Sequence, residues 1–181
     1  AGLVFGFSPG QSTSLSGAQN GGVFIGMLVV GIAATGLGIG ALRHWVVAGC
    51  LGSAVALTII SLIGRAGIPV LRPAVITLGF FNGMFAVAAI GSMMALAGHG
   101  RDAREGTRMG LWGAAQAIAA GFGGLAGAAM VDVLRVMTAT APAFGTVFLI
   151  AAALFIAAAF MALRIMDTST APSPTALVPG E

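Results

Sequence analysis

Apolar residues run along this chain in five long blocks, separated by short polar or glycine-containing links. A helix needs about 20 mostly apolar residues to cross the hydrocarbon core of a bilayer, and each block is long enough. The pattern predicts membrane helices over Thr13 to Leu42 (its apolar part beginning at Gly21), Trp45 to Ile63, Pro69 to Ala97, Thr107 to Met137 and Pro142 to Ile165. Ser12 or Thr13, following Pro9-Gly10, is the expected cap of the first helix. Pro69 and Pro73 fall in the first turn of the third, where proline is tolerated. The links are Arg43-His44, Gly64 to Ile68, Gly98 to Gly106 and Thr138 to Ala141. Links this short predict that sequential helices pack as antiparallel neighbours. No stretch alternates polar and apolar residues as a barrel strand would. Backbone polar groups in lipid must be satisfied within the segment, so the spans are helices. The expected fold class is an all-α polytopic membrane protein.

Composition strengthens that reading. Only 7% of the 181 residues are charged, against about 25% in soluble domains, and mean hydropathy is +1.04. The sequence pI near 11.2 comes from eight basic residues, all arginine, against five acids. These arginines are spread through the links rather than clustered on one face, so they read as topology signals and not as a nucleic-acid surface. With Ala1 outside, Arg43, Arg101, Arg104, Arg108 and Arg164 fall inside and Arg65, Arg72 and Arg135 outside, which puts the C-terminus in the cytoplasm. Cys50 stands alone in an apolar run and forms no intrachain disulfide. The opening "AGLVFGFSPGQST" carries no signal-peptide pattern and reads as a loop following an absent upstream segment. Residues 1–166 form the expected bundle, and residues 167–181 a proline-rich cytoplasmic tail whose composition supports no fold of its own.

Glycine is the one abundant residue with two opposite meanings here. Gly121, Gly123, Gly124 and Gly127 superficially match a phosphate-cradling fingerprint, but that needs a preceding strand and a helix opening on the glycines. These lie in the middle of an apolar span. The spacing instead suggests small-xxx-small packing, as do the pairs Gly22/Gly26, Gly36/Gly40 and Gly79/Gly83. Gly123 and Gly127 are therefore expected to face another helix.

Few polar side chains fall within the spans. Asn82 sits among Phe80, Phe81 and Phe85, Gln116 lies one turn from Trp112, and Gln19 and Asn20 open the first span. A buried amide without a partner is costly, so each either bonds across helices or lines a ligand cavity. Asp132 and Arg135 are spaced as an i,i+3 pair, and Arg72 is shallow enough to snorkel. The absence of a mid-span carboxylate argues against a proton-driven carrier. His44 and His99 fall at the inner interface, as solvated side chains or as ligands to the magnesium of a chlorophyll-type ring. No metalloprotease motif, local Cys-His pair or paired carboxylates occur, so no enzyme is expected.

The segments "RMGLWGAAQAIAAGFGGLAG" with Asp132 after it, the basic lead-in "GRDAREGTRMGLWGAAQA" and the opening "GLVFGFSPGQSTSLSGAQNGGVFIGML" resemble the PucC/LhaA, or bacteriochlorophyll delivery, family of the major facilitator superfamily. The resemblance covers nearly all of residues 1 to 166. It implies that these are helices 8–12 of a twelve-helix protein, in the photosynthetic intracytoplasmic part of a bacterial inner membrane. It also implies a non-enzymatic assembly factor for light-harvesting complexes that handles bacteriochlorophyll or a precursor. The implied partners are light-harvesting polypeptides, the reaction centre, chlorophyll synthase and the bilayer itself. The segment "GLGIGALRHW" keeps the glycines and Arg43 of the facilitator signature but lacks its acid, which weakens active transport. A small-molecule transporter and a purely structural subunit are the competing readings. The candidate pigment site comprises Phe81 and Trp112 for ring contact, with Phe80 and Phe85 beside them, and His44, Asn82, His99 or Gln116 as ligand. Gly79, Gly83 and Gly113 would keep the slot open.

Overall fold

A computed structural model describes Val4 and residues 6–67, 70–97 and 105–168. The basic link with His99, Arg101 and Arg104, and the tail from residue 169, lie outside the described residues. Helix α1 spans Pro9–Val30 and runs into a π-helical turn, Gly31–Gly36; α2 is Leu42–Ala66, α3 Leu71–Ala97, α4 Glu105–Met137 and α5 Thr140–Thr168. All five are long and apolar enough to cross a membrane, and the described residues include no strand.

Two boundaries differ from expectation. The cap of α1 is Ser8, not Ser12 or Thr13. Proline has no N–H to donate and is preorganised for the first helical position, so Pro9 starts the helix and the preceding serine caps it. Gln11 N–H donates to Ser8 Oγ at 3.3 Å, and Ser8 N–H donates back to Gln11 Oε1 at 2.9 Å, a reciprocal capping box. At the other end α1 stops well before Leu42. The run "GIAATGLGIG" offers little side-chain packing to hold a helix, and Gly38 and Gly40 adopt positive φ of 63° and 76°, which glycine does at no steric cost. The chain unwinds there, and Trp45 Nε1–H bonds Ile39 O at 2.9 Å across the break. The α2 C-terminus closes on Gly67 in the left-handed conformation, its N–H donating to Ile63 O, a common helix stop.

Packing does not follow chain order throughout. α1 lies against α3 rather than α2, α3 also packs on α2, and α2 on α5. The reason lies in the glycines. A methyl on Gly22 would strike the Ile76 carbonyl oxygen, and one on Gly26 that of Phe80; Gly79 faces Gln19 O and Gly83 faces Val23 O in the same way. Two small-xxx-small stripes interlock so closely that only hydrogen fits between the backbones. On α2, Gly49 takes the backbone of Phe85, whose Cα lies 2.9 Å from where a Cβ would sit, and Gly52 takes the Phe81 ring. The core joins Val30, Val46, Cys50, Met84, Ala88 and Ala159, with a second cluster of Ile60, Leu71 and Val75 at the opposite end.

Helix α4 behaves otherwise. Only 6% of its most apolar window is buried, against 50% for α2. A Cβ at Gly121, Gly123, Gly124 or Gly127 would meet nothing within 4 Å. The expectation that Gly123 and Gly127 face another helix is therefore not met among the described residues. They border a shallow groove toward Phe144, Val147 and Phe148 of α5. Asp132 and Arg135 line the same groove, both exposed, and among the described residues they form no ion pair.

Candidate functional site

The predicted pigment residues are distributed rather than gathered. Asn82, in mid-α3, accepts at Oδ1 a hydrogen bond from Ser53 Oγ–H of α2 at 2.9 Å. Ser53 is fully buried, so this is an interhelical bond at the centre of the α2–α3 seam. Phe81, its neighbour, lies on Gly52 and meets Phe80 edge-on, with ring centroids 5.4 Å apart at 76°. Phe85 meets Phe155 of α5 in the same manner, at 6.4 Å and 89°. The space expected to form a slot beside these rings is occupied by α2. Gly79 and Gly83 are likewise occupied by α1.

The remaining candidates lie elsewhere. His44 is exposed in the first turn of α2, Trp112 is half-buried near the start of α4, and Gln116 is exposed one turn further on. His99 lies outside the described residues. Of the six, the structure brings together only Phe81 and Asn82.

Sequence reasoning missed a cavity of about 300 Å³ at the other end of the bundle, where α1 and α3 begin. Leu15 and Gln19 of α1, Ile60, Ser61 and Gly64 of α2, Leu71, Val75 and Leu78 of α3, and Phe144, Gly145 and Phe148 of α5 surround it. Ser61 Oγ–H donates to Gly145 O at 2.9 Å, tying α2 to α5 along one wall. Leu15 and Leu71 also border a second cavity of about 350 Å³, which adds Phe7, Gln11, Ser14 and Arg72. One signal was present: Gln11, Leu15 and Gln19 recur every four residues and so share a face of α1. What that face meets depends on α1 packing against α3, which the spacing of one helix does not reveal. No cluster of three or more metal-ligating side chains occurs among the described residues.

Five membrane-length helices, with polar side chains tied into the seams between them, define a multi-pass helical membrane protein. The chain belongs to the family described as PUCC protein, which matches residues 1–170. Across all 181 residues it is 61% identical to the bacteriochlorophyll synthase 44.5 kDa chain of Rhodobacter capsulatus, and it spans 42% of that relative's length. No solved structure matches the chain.

Proposed function

We propose that this chain is part of a light-harvesting assembly factor that binds or delivers bacteriochlorophyll and docks antenna polypeptides, without itself catalysing a reaction. Membership of the PUCC family carries the reading, and the name of the Rhodobacter relative links that protein to bacteriochlorophyll. That name also contains the word synthase. Three buried polar residues of this bundle are engaged in structure. Ser53 bonds Asn82, Ser61 bonds Gly145 O, and Ser92 bonds Ala88 O. Whether the full-length protein catalyses a step is decided by the experiment that follows. In this reading Ala1 lies on the periplasmic side of the bacterial inner membrane, and the exposed face of α4 lies open to further helices.

Deleting the full-length gene in a phototroph tests the proposal. Antenna absorption should fall severalfold while esterified bacteriochlorophyll is still made. Formation of bacteriochlorophyll by the purified full-length protein, or loss of all pigment in the deletion strain, would overturn the non-catalytic role.

A further inference from the structure

The paired cavities where α1 and α3 begin carry an inference independent of pigment handling. The inner one is lined by aliphatic and phenyl groups, with Leu15, Val75, Leu78 and Phe148 on its walls. Its volume of about 300 Å³ lies at the lower limit of roughly 300–1,000 Å³ for ligand pockets, which suits one extended hydrocarbon chain. Gln19 is half-buried there, and among the described residues nothing hydrogen-bonds its side-chain amide. An amide shielded from water without a partner is unfavourable, so a ligand carbonyl would satisfy it. The adjoining cavity is more polar and contains Arg72, Gln11 and Ser14. Arg72 is exposed, no described group pairs with its guanidinium, and no acid borders either cavity. Charge, hydrogen-bonding capacity and apolar volume thus follow one another from the helix ends inward.

We infer that these two neighbouring cavities, which share Leu15 and Leu71 in their walls, bind an anionic phospholipid, with its phosphate at Arg72, an ester carbonyl at Gln19 and one acyl chain in the inner cavity. Guanidinium and phosphate match in charge and geometry, and a span terminus at the membrane interface is where phospholipid heads lie. Gly64 supplies the means of closing the site. A Cβ there meets nothing within 4 Å, so a larger side chain can enter the cavity without striking backbone. Gly145 does not offer this, because a Cβ there would lie 3.0 Å from Ser61 Oγ and Arg65 Nε.

The test uses the full-length protein, delipidated in mild detergent, with dioleoyl phosphatidylglycerol, dioleoyl phosphatidylcholine and palmitate as probes read by native mass spectrometry. Phosphatidylglycerol should bind with one tight site; phosphatidylcholine should bind about tenfold more weakly because its choline cation is repelled by Arg72 where no acid offsets it, and palmitate about tenfold more weakly because it has no ester carbonyl for Gln19 and no phosphate. Arg72→Gln should weaken phosphatidylglycerol about tenfold, while Arg72→Lys restores only part of the loss because the charge remains but the planar two-pronged geometry does not. Gly64→Leu should abolish the site, with Gly64→Ala, which leaves most of the volume, as the variant that controls for folding. Equal retention of phosphatidylglycerol and phosphatidylcholine would overturn the inference. So would tight palmitate binding, or unchanged phosphatidylglycerol binding in folded Gly64→Leu.

Discussion

Gly22 and Gly26 on α1 have the same spacing as Gly123 and Gly127 on α4, yet their surroundings are opposite. The first pair is pressed against the backbone of α3, and the second opens on empty space. The difference is not in the helices that carry the motif but in what lies across from them. α3 presents Gly79 and Gly83 at matching depth, so each helix offers carbonyls to the other's glycines. α5 presents Phe144, Val147 and Phe148 across the groove, with no glycine stripe to match that of α4. A small-residue stripe permits close approach, and a second stripe in register is what produces it.

The sharpest way to break this comparison is to fill the α1–α3 seam. Gly26→Leu combined with Gly83→Leu should prevent a folded bundle from being recovered in detergent, because each side chain would overlap backbone atoms that cannot yield. Such overpacking typically costs about 1–3 kcal/mol per site, and more where backbone is struck. A double variant with a wild-type melting curve would mean that the seam does not hold the bundle together.

A middle-sized effect is expected where α2 and α3 share a hydrogen bond. Asn82→Leu removes the acceptor for buried Ser53 and should destabilise by about 0.6–1.7 kcal/mol, the range for interhelical bonds in membranes. Ser53→Ala in the same background should then add little, and additive losses in a double-mutant cycle would show that the two groups act separately.

A comparable but more local loss should follow Ser8→Ala, which removes one half of the α1 capping box and costs about 1 kcal/mol. Faster amide exchange confined to the first turn of α1 would be its signature, and exchange spread into α3 would contradict that assignment.

The smallest effect belongs to α4. Gly123→Leu with Gly127→Leu should change the thermal stability of this chain by less than about 0.5 kcal/mol, as for surface positions away from special features. The same pair in the full-length polypeptide sharpens the comparison. A large loss there alone would show that this stripe has its matching partner beyond the present chain.

These contrasts also explain what could be read from the sequence. The five spans were legible to within a few residues because membrane crossing depends on summed local hydropathy, which a stretch of about 20 residues carries by itself. The end of α1 was not, because "GIAATGLGIG" is apolar enough to continue a span and only its backbone freedom interrupts the helix. Pro9 at the first helical position points to Ser8 before it as the cap, a local signal that outweighs the hydroxyls of Ser12 and Thr13. The pairing of α1 with α3, and the isolation of α4, required comparing two glycine stripes at once. Short links pointed instead to neighbours in chain order. Asn82 was recognised as needing a partner, but Ser53 is apparent only once α2 and α3 are aligned. The cavity escaped because its walls come from four helices: Gln19 was legible as an amide that bonds across helices or lines a cavity, but the Ser61 and Leu78 walls it faces depend on how the helices pack.

The order of packing also bears on how the bundle is made. α3 touches both α1 and α2, whereas α1 is not packed against α2. Nascent chains lengthen at about 5–20 residues/s, and spans enter the bilayer in sequence. α1 therefore precedes the helix that its glycine face packs against, and the arrival of α2 does not supply it. For roughly several seconds at that rate, something other than α3 covers Gly22 and Gly26, whether lipid, an insertion chaperone or another helix, until α3 emerges and displaces it. Among the spans of this chain the third is the one that joins α1 to α2, and a nascent chain halted after Ala66 would hold those two helices without the one that bridges them.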